Sequence, residues 1–364
     1  MNILILKKPL ITLGLLFSLV FFISCESDPN ADIADVELPL DFFRTDSLML
    51  AASDALVNGG EKDYMKVYTS FLLPEKEFFY QWIGIDEMLR GKPISSEMAD
   101  TLIAQNIGPL LADPNIYHLL DTVRQVFPYD YDFFKKISPP LKRLVKYIPE
   151  VEIPAFRTHV NGYIPEGDLR TADQMVFLGK YFSFGLHYFL GPNLKYYPVN
   201  IPKYQKKRFS SEYLDVMMIH EIAEGMVDPV DLSGQPTLLD QMIREGIKQY
   251  FIHQLLPHTP DSLLLLYSEA QMKWANYYEA RIYKELSASM YSTDFMVQRD
   301  FLTDKPYTTT LSLESAPRLG EFLGWKIVDA YMSKNPQETL GDLIERKDYD
   351  AIFKASRYKP LSFE

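Results

Sequence analysis

The amino-acid sequence predicts an α+β protein that is mostly α-helical and has one small β-sheet. Apolar residues recur at helical spacing from 41 to 140 and again after Pro202, whereas short runs between 150 and 200 alternate apolar and polar residues. Helices, a sheet and further helices thus follow one another, an order typical of α+β proteins. We find no internal repeat and predict a single domain over residues 39–364.

The first residues of the chain have the features of an export signal. Lys7 and Lys8 precede an apolar run from Ile11 to Ile23. Such a run has the length of the hydrophobic part of a signal peptide, whereas a transmembrane helix needs about 20 apolar residues. We therefore predict a signal peptide over residues 1–24 and a location in the cell envelope, facing the periplasm or at the surface.

The single cysteine of the chain, Cys25, follows Phe22-Ile23-Ser24. A small residue before the cysteine is typical of a bacterial lipoprotein processing site, although Phe22 replaces the usual leucine. We predict that Cys25 is lipidated and attaches the protein to a membrane. Residues 25–38 are polar and acidic, so we expect a flexible tether. The alternative is an ordinary secretory signal with a stray cysteine.

The charge and the cysteine count exclude some partners and some kinds of site. A formal net charge of −12 argues against a nucleic-acid ligand and against electrostatic adsorption to anionic lipid. A lone cysteine excludes an intrachain disulfide bond and a multi-cysteine metal site. The fold must therefore be held by its core, and the chain is long enough to bury a sizeable one.

The N-terminal part is predicted to be helical. Residues 61–91 and 98–137 carry apolar residues at helical spacing. Pro139 and Pro140 should interrupt this pattern, because proline lacks the amide hydrogen and clashes with the preceding turn. A short amphipathic helix over 141–148 should follow.

The segment from 150 to 200 is predicted to form the sheet. The runs VEIPAFRTHV, ADQMVFLGKYFS and FGLHYFL have the alternation of strands, and Gly191-Pro192-Asn193 has the composition of a turn.

Capping residues predict the helices that follow. We expect helices from Ser210 or Ser211 to about Val227, from Pro236 to Leu256, from Ser268 to about Met290, and from Arg318 to Met332.

The first of these helices carries the sequence His-Glu-x-x-Glu, one residue short of the zinc-protease motif His-Glu-x-x-His. His220 and Glu224 lie one turn apart on one face, where two side chains can bind one zinc ion, and Glu221 could polarise a metal-bound water. A glutamate ligand in place of histidine would weaken the metal as a Lewis acid. The simpler interpretation is a His-Glu pair on a buried helix that satisfies itself.

The next helix offers Glu245 as a third zinc ligand. Glu245 lies at the rim of an apolar face, where Arg244 or Lys248 could instead be its partners. Gly246 and the pair Gly320 and Gly324 would allow helices to approach closely.

Arg318, at the start of the last long helix, could reach an acidic cluster. Simple helix contact is the alternative explanation for this region.

Three long blocks carry a family resemblance: GLHYFLGPNLKYYPVNIPKYQKKRF, LLDQMIREGIKQYFIHQLLPHTPDS and ESAPRLGEFLGWKIVDAYM. The chain resembles the gliding motility-associated lipoprotein GldB family of Bacteroidota. This resemblance implies a zincin-like fold, related to metallopeptidases, and a lipid-anchored protein of the gliding and associated protein-secretion machinery. The zincin pattern matches at His220, Glu221, Glu245 and Gly246, and it fails at Glu224.

These observations lead to three hypotheses. The first is a pseudo-peptidase without a cofactor, which contacts motility or secretion proteins of the envelope. The second is an active zinc hydrolase with His220, Glu224 and Glu245 as ligands and Glu221 as general base. The third is a glycan-binding lipoprotein, which is suggested by the aromatic content alone.

Overall fold

The computed structural model describes residues 30–162, 174–195, 197 and 201–360. These residues form a mainly helical protein with one mixed four-stranded sheet, which confirms the α+β class. No helix in the described ranges is long and apolar enough to cross a membrane. The predicted signal peptide and Cys25 lie outside the described residues.

The segment after the predicted lipidation site lies against the body of the protein. Ala31–Ile33 form one turn of 3-10 helix, and Ile33 is buried. Arg143, which is itself buried, donates hydrogen bonds to the Asp32 carboxylate (2.9 and 3.2 Å) and to the Asn30 side chain (3.2 Å). Lys146 donates to the Asp32 carbonyl oxygen at 2.6 Å.

The expectation of a flexible tether up to residue 38 is therefore wrong from Asn30 onwards. Composition alone predicted disorder, because it could not show that one aspartate and one isoleucine have partners on a distant helix. We call residues 30–36 the strap.

Helices occupy most of the chain from residue 45 to residue 147. They are α1 (Thr45–Val57), α2 (Tyr64–Val67), α3 (Lys76–Ile83), α4 (Ile85–Leu89), α5 (Ser96–Leu111), α6 (Pro114–Val126) and α7 (Phe133–Tyr147), with a π-helical turn over Tyr68–Leu72 between α2 and α3.

The predicted interruption at Pro139-Pro140 is wrong, because α7 continues through both prolines. A proline inside a helix costs about 3 kcal/mol. Burial of the apolar face formed by Phe133, Ile137 and Leu141 offsets that cost.

The sheet consists of β1 (Phe42–Phe43), β2 (Ala155–His159), β3 (Met175–Leu178) and β4 (Tyr181–Gly185), in the order β1-β2-β4-β3. β2 is parallel to β1 and β4, and β3 and β4 form an antiparallel hairpin. The first predicted run contains β2, and the second contains β3 and most of β4. The third run ends the sheet at Gly185, and Leu186–Tyr188 form a 3-10 turn instead.

The remaining helices follow the sheet. They are α8 (Lys203–Lys206), α9 (Leu214–Met226), α10 (Leu238–Leu255), α11 (Asp261–Leu264), α12 (Glu269–Tyr277), α13 (Glu279–Ser287), α14 (Phe295–Leu302), α15 (Leu319–Lys334), α16 (Leu340–Ile344) and α17 (Tyr349–Ser356). The predicted capping box of Ser268 and Gln271 is present, but the helix it begins is divided at Tyr278.

Helices α10 and α15 touch backbone to backbone. A side-chain carbon on Gly324 would overlap the main-chain carbonyl of Met242 and come within 3.3 Å of the Gly246 nitrogen. A carbon on Gly320 would lie 2.8 Å from Leu302 and 3.1 Å from the carbonyl oxygen of Phe301. The predicted glycine stripe is therefore confirmed, and it brings α15 against α10. Helix α9 packs on the same α10.

Candidate functional site

Helix α9 carries the His-Glu-x-x-Glu sequence. Ser210 caps a 3-10 turn that leads into α9, and Leu214, Met218 and Ile222 bury one side of it. The Nε2 atom of His220 donates a hydrogen bond to the carbonyl oxygen of Leu264 at 2.8 Å. Burial lowers the pKa of His220 to about 3, so the imidazole is neutral at neutral pH.

Glu224 is engaged by two cations of α10. Its carboxylate forms an ion pair with Arg244 at 2.7 Å and a second one with Lys248. Burial acts to raise the pKa of Glu224, but the hydrogen bonds and charges of Arg244 and Lys248 outweigh it and lower the pKa.

Glu245 shares both of these cations. Its carboxylate lies 2.7 Å from Arg244 and 2.8 Å from Lys248. Glu224, Arg244, Glu245 and Lys248 thus form one cluster of two negative and two positive charges, which we call the ion-pair cluster. The sequence analysis gave Arg244 and Lys248 as possible partners of Glu245. In the structure both cations also pair with Glu224.

Arg244 also fixes the end of α9. It donates hydrogen bonds to the carbonyl oxygens of Val227 (3.0 Å) and Asp228 (3.2 Å), directly after the last turn of that helix. Carbonyl groups at a helix C-terminus have no partner inside the helix, so this guanidinium satisfies groups that would otherwise need water. Arg244 therefore joins α9 to α10 by both charge and hydrogen bonds.

Glu221 does not join the ion-pair cluster. Among the described residues its side chain has neither a hydrogen bond nor an ion pair, and burial together with the nearby charge of Glu224 raises its pKa. Nor does Glu221 line the cleft that His220 lines. Glu221 is thus not among the residues of this cleft, although it lies near enough to Glu224 to feel its charge.

A cleft of about 410 Å³ lies between α9, α10 and α15. Its lining includes His220, Glu245, Lys248, Arg318, Glu321 and Asp304. Side chains of both charges face it, so the cleft has no strong excess of either sign.

A second network of charged side chains forms part of the wall of this cleft. Arg318 is buried and pairs with the buried Glu321 at 2.8 Å and with Asp304 at 3.5 Å. Arg208 binds the other side of Asp304 at 2.8 Å, and Gln249 donates to Glu321. Arg318 thus pairs with acidic residues, as one of the two sequence interpretations allowed, but with Glu321 and Asp304, which the sequence did not identify.

The backbone of Arg318 is in the left-handed region, with φ of 48°. This conformation is uncommon for a residue with a side chain, and it costs of the order of 1–3 kcal/mol. It directs the guanidinium to Glu321 and to the carbonyl oxygen of Leu265.

Sequence reasoning missed Asp304, Arg208, Glu321 and Gln249. One signal for Glu321 was present, because it lies three residues after Arg318 on a helix that is otherwise apolar over its first turns. No comparable signal marks Asp304 or Arg208, which reach the network from separate segments.

The donor atoms predicted for zinc are engaged in other bonds. Both carboxylates bind Arg244 and Lys248, and the Nε2 atom of His220 binds a carbonyl oxygen. In the part of the chain that the structure describes, no group of three or more His, Cys, Asp or Glu side chains is arranged to hold a metal ion. A zinc ion between these helices would have to displace two cations, so the present arrangement does not fit one.

The buried, neutral His220 should make stability depend on pH. Its folded-state pKa of about 3 lies below the ordinary 6.5, so the unfolded chain binds more protons between these values and stability falls as the pH falls through this window. In urea titrations across it, His220→Gln should show a smaller pH dependence of the free energy of unfolding than the wild type. His258→Gln, at an exposed histidine, is the matched control. Equal pH dependence in both variants would contradict this reading.

The fold and the site define a mainly helical α+β protein whose central helices are joined by ion pairs. The family model described as Gliding motility protein GldB matches residues 26–360. Because the match covers most of the chain, the protein belongs to this family, and the resemblance in its sequence is confirmed. The family label also marks lipoproteins, in agreement with a location in the cell envelope. No curated protein and no solved structure matches the chain.

Proposed function

We propose that the protein is a lipid-anchored component of the gliding and associated protein-secretion machinery, which acts through protein–protein contacts on a degenerate, zincin-like peptidase scaffold. Family membership supports the link to gliding motility. The ion-pair cluster is the observation that carries the non-catalytic part. Where a zinc peptidase needs free ligands, Glu224 and Glu245 are neutralised by Arg244 and Lys248.

The same contacts hold α9 and α10 together. Its four side chains join α9 to α10, and Arg244 closes the end of α9. Substituting glutamate for the second motif histidine supplies the negative charge that these two cations require. The motif is then a helix-joining device, and the surface around it is available for contact with envelope partners.

A substitution at Glu221 distinguishes a contact function from a catalytic one. Glu221→Gln keeps the shape of the side chain and removes the base that an active hydrolase would require. We expect cells that carry this variant at the wild-type level to glide and secrete as the wild type does, in spreading and secretion assays. Arg244→Met, which leaves both carboxylates without one of their cations, should lower the protein level and both phenotypes.

Loss of both phenotypes in a Glu221→Gln protein that folds and reaches the envelope normally would overturn this proposal. That result would instead favour a zinc hydrolase with His220, Glu224 and Glu245 as ligands. Cys25→Ser serves as the control for anchoring, since it should detach the protein from the membrane without altering the fold.

A further inference from the structure

The strap fixes the point at which the chain leaves the body of the protein. Asp32 is held by Arg143 and Lys146, and these bonds lower the pKa of its carboxyl group. Ile33 is 2% exposed, so an apolar side chain joins the polar contacts. The attachment point is therefore a defined place on the surface of α7.

Little chain separates this point from Cys25. Five peptide units connect Cys25 to Asn30, and a fully extended chain of that length reaches about 18 Å. A compact body of this size is roughly 50 Å across. The connection is therefore much shorter than the body, which cannot turn freely above a membrane that holds Cys25.

The face beside the strap carries little net charge on a strongly acidic chain. Helix α7 has five basic residues and no acidic one. Its less buried side carries Lys135, Lys142 and Lys146, which follow one another at spacings that place them along a single stripe. The strap adds Asp32 and Asp35, and Glu37 follows it directly, so these carboxylates balance the three lysines and the face is close to neutral on a chain of net charge −12. Anionic headgroups therefore repel this face less than they repel the acidic remainder.

We propose that the strap and the outer stripe of α7 lie against the membrane surface. The inference rests on the proposed lipidation of Cys25. The opposite side of α7 packs on α9 and α10, so the ion-pair cluster lies on the side of α7 away from the lipid. The surface left for envelope partners is then the part of the body that faces away from the bilayer.

Energy transfer to labelled lipid tests this orientation. The full lipidated protein is placed in vesicles of phosphatidylethanolamine and phosphatidylglycerol that contain a headgroup-bound acceptor dye. An added cysteine can be labelled alone, because the chain has one cysteine and lipidation blocks its thiol. A donor at Ala34→Cys or Ser138→Cys should transfer several-fold more than one at Lys273→Cys, an exposed position on α12. Equal transfer, or more transfer from Lys273→Cys, would overturn the orientation.

Further experiments distinguish a failure of this orientation from a failure of the proposed lipid anchor. Wild-type protein that fails to float with vesicles, or behaves as Cys25→Ser does, overturns both. A flexible Gly-Ser insert of about 20 residues after position 28 should leave flotation unchanged and reduce the difference between labels. Asp32→Asn, which releases the ion pairs of the strap, should act in the same direction. A difference that survives both changes would show that the strap does not set the orientation.

Discussion

Gly324→Ala is expected to lower the free energy of unfolding by about 3 kcal/mol or more. An added methyl group would overlap the main-chain carbonyl of Met242, which belongs to the backbone of α10 and cannot rotate away. Overpacking usually costs about 1–3 kcal/mol when side chains can adjust. Here α10 and α15 themselves would have to separate. The gain in helix propensity from glycine to alanine, about 1 kcal/mol, is smaller than this cost.

Gly225→Ala provides the matched control. Gly225 is also helical, in α9, but it is exposed and a side-chain carbon there meets nothing within 4 Å. We expect this change to be neutral or to stabilise by up to about 1 kcal/mol. Urea unfolding followed by circular dichroism measures both variants. Similar stabilities for the two would contradict the close approach of α10 and α15.

The second large effect is expected from Arg318→Met, which removes the cation beside the buried Glu321. Breaking a buried pair by removing one partner costs about 3–5 kcal/mol, because the other charge stays buried without compensation. Burial and the nearby Glu245 raise the pKa of Glu321, and Arg318 opposes this increase. Without Arg318, the carboxyl group should therefore become protonated at a higher pH.

A double variant distinguishes the stability lost with the ion pair from the stability lost with the packing of the arginine side chain. Arg318→Met with Glu321→Gln replaces the orphaned carboxylate by a neutral amide that Gln249 can bond. It should be more stable than Arg318→Met alone. Lys354→Met, in an exposed pair with Asp350, should cost much less than Arg318→Met. If the double variant is as unstable as the sum of the two single variants, the pair contributes no coupling and this reading is wrong.

Local signals in the sequence predicted much of the helical framework. The caps at Ser210 and Ser268, and the glycines that bring α10 and α15 together, are found as expected. Predictions failed where a distant contact decided the outcome. Pro139 and Pro140 remain in a helix because that helix buries an apolar face, and the strap is ordered because Arg143 holds Asp32.

The candidate site was also predicted only in part from local signals in the sequence. Helical spacing placed His220 and Glu224 on one face of α9. The helix predicted from Pro236 to Leu256 contains Arg244, Glu245 and Lys248, which lie on α10. Pattern alone could not decide whether Glu224 and Glu245 would bind a metal or the two cations between them. That choice depends on how closely α9 and α10 approach, which is set by the tertiary fold.

Elemental analysis of the purified protein most directly tests the claim that this motif joins helices and does not bind zinc. Wild type, His220→Ala and Arg244→Met are equilibrated with excess zinc and then passed through a desalting column. We expect no stoichiometric zinc in wild type and no difference between wild type and His220→Ala. Stoichiometric zinc in the wild type that is lost in His220→Ala would contradict the account.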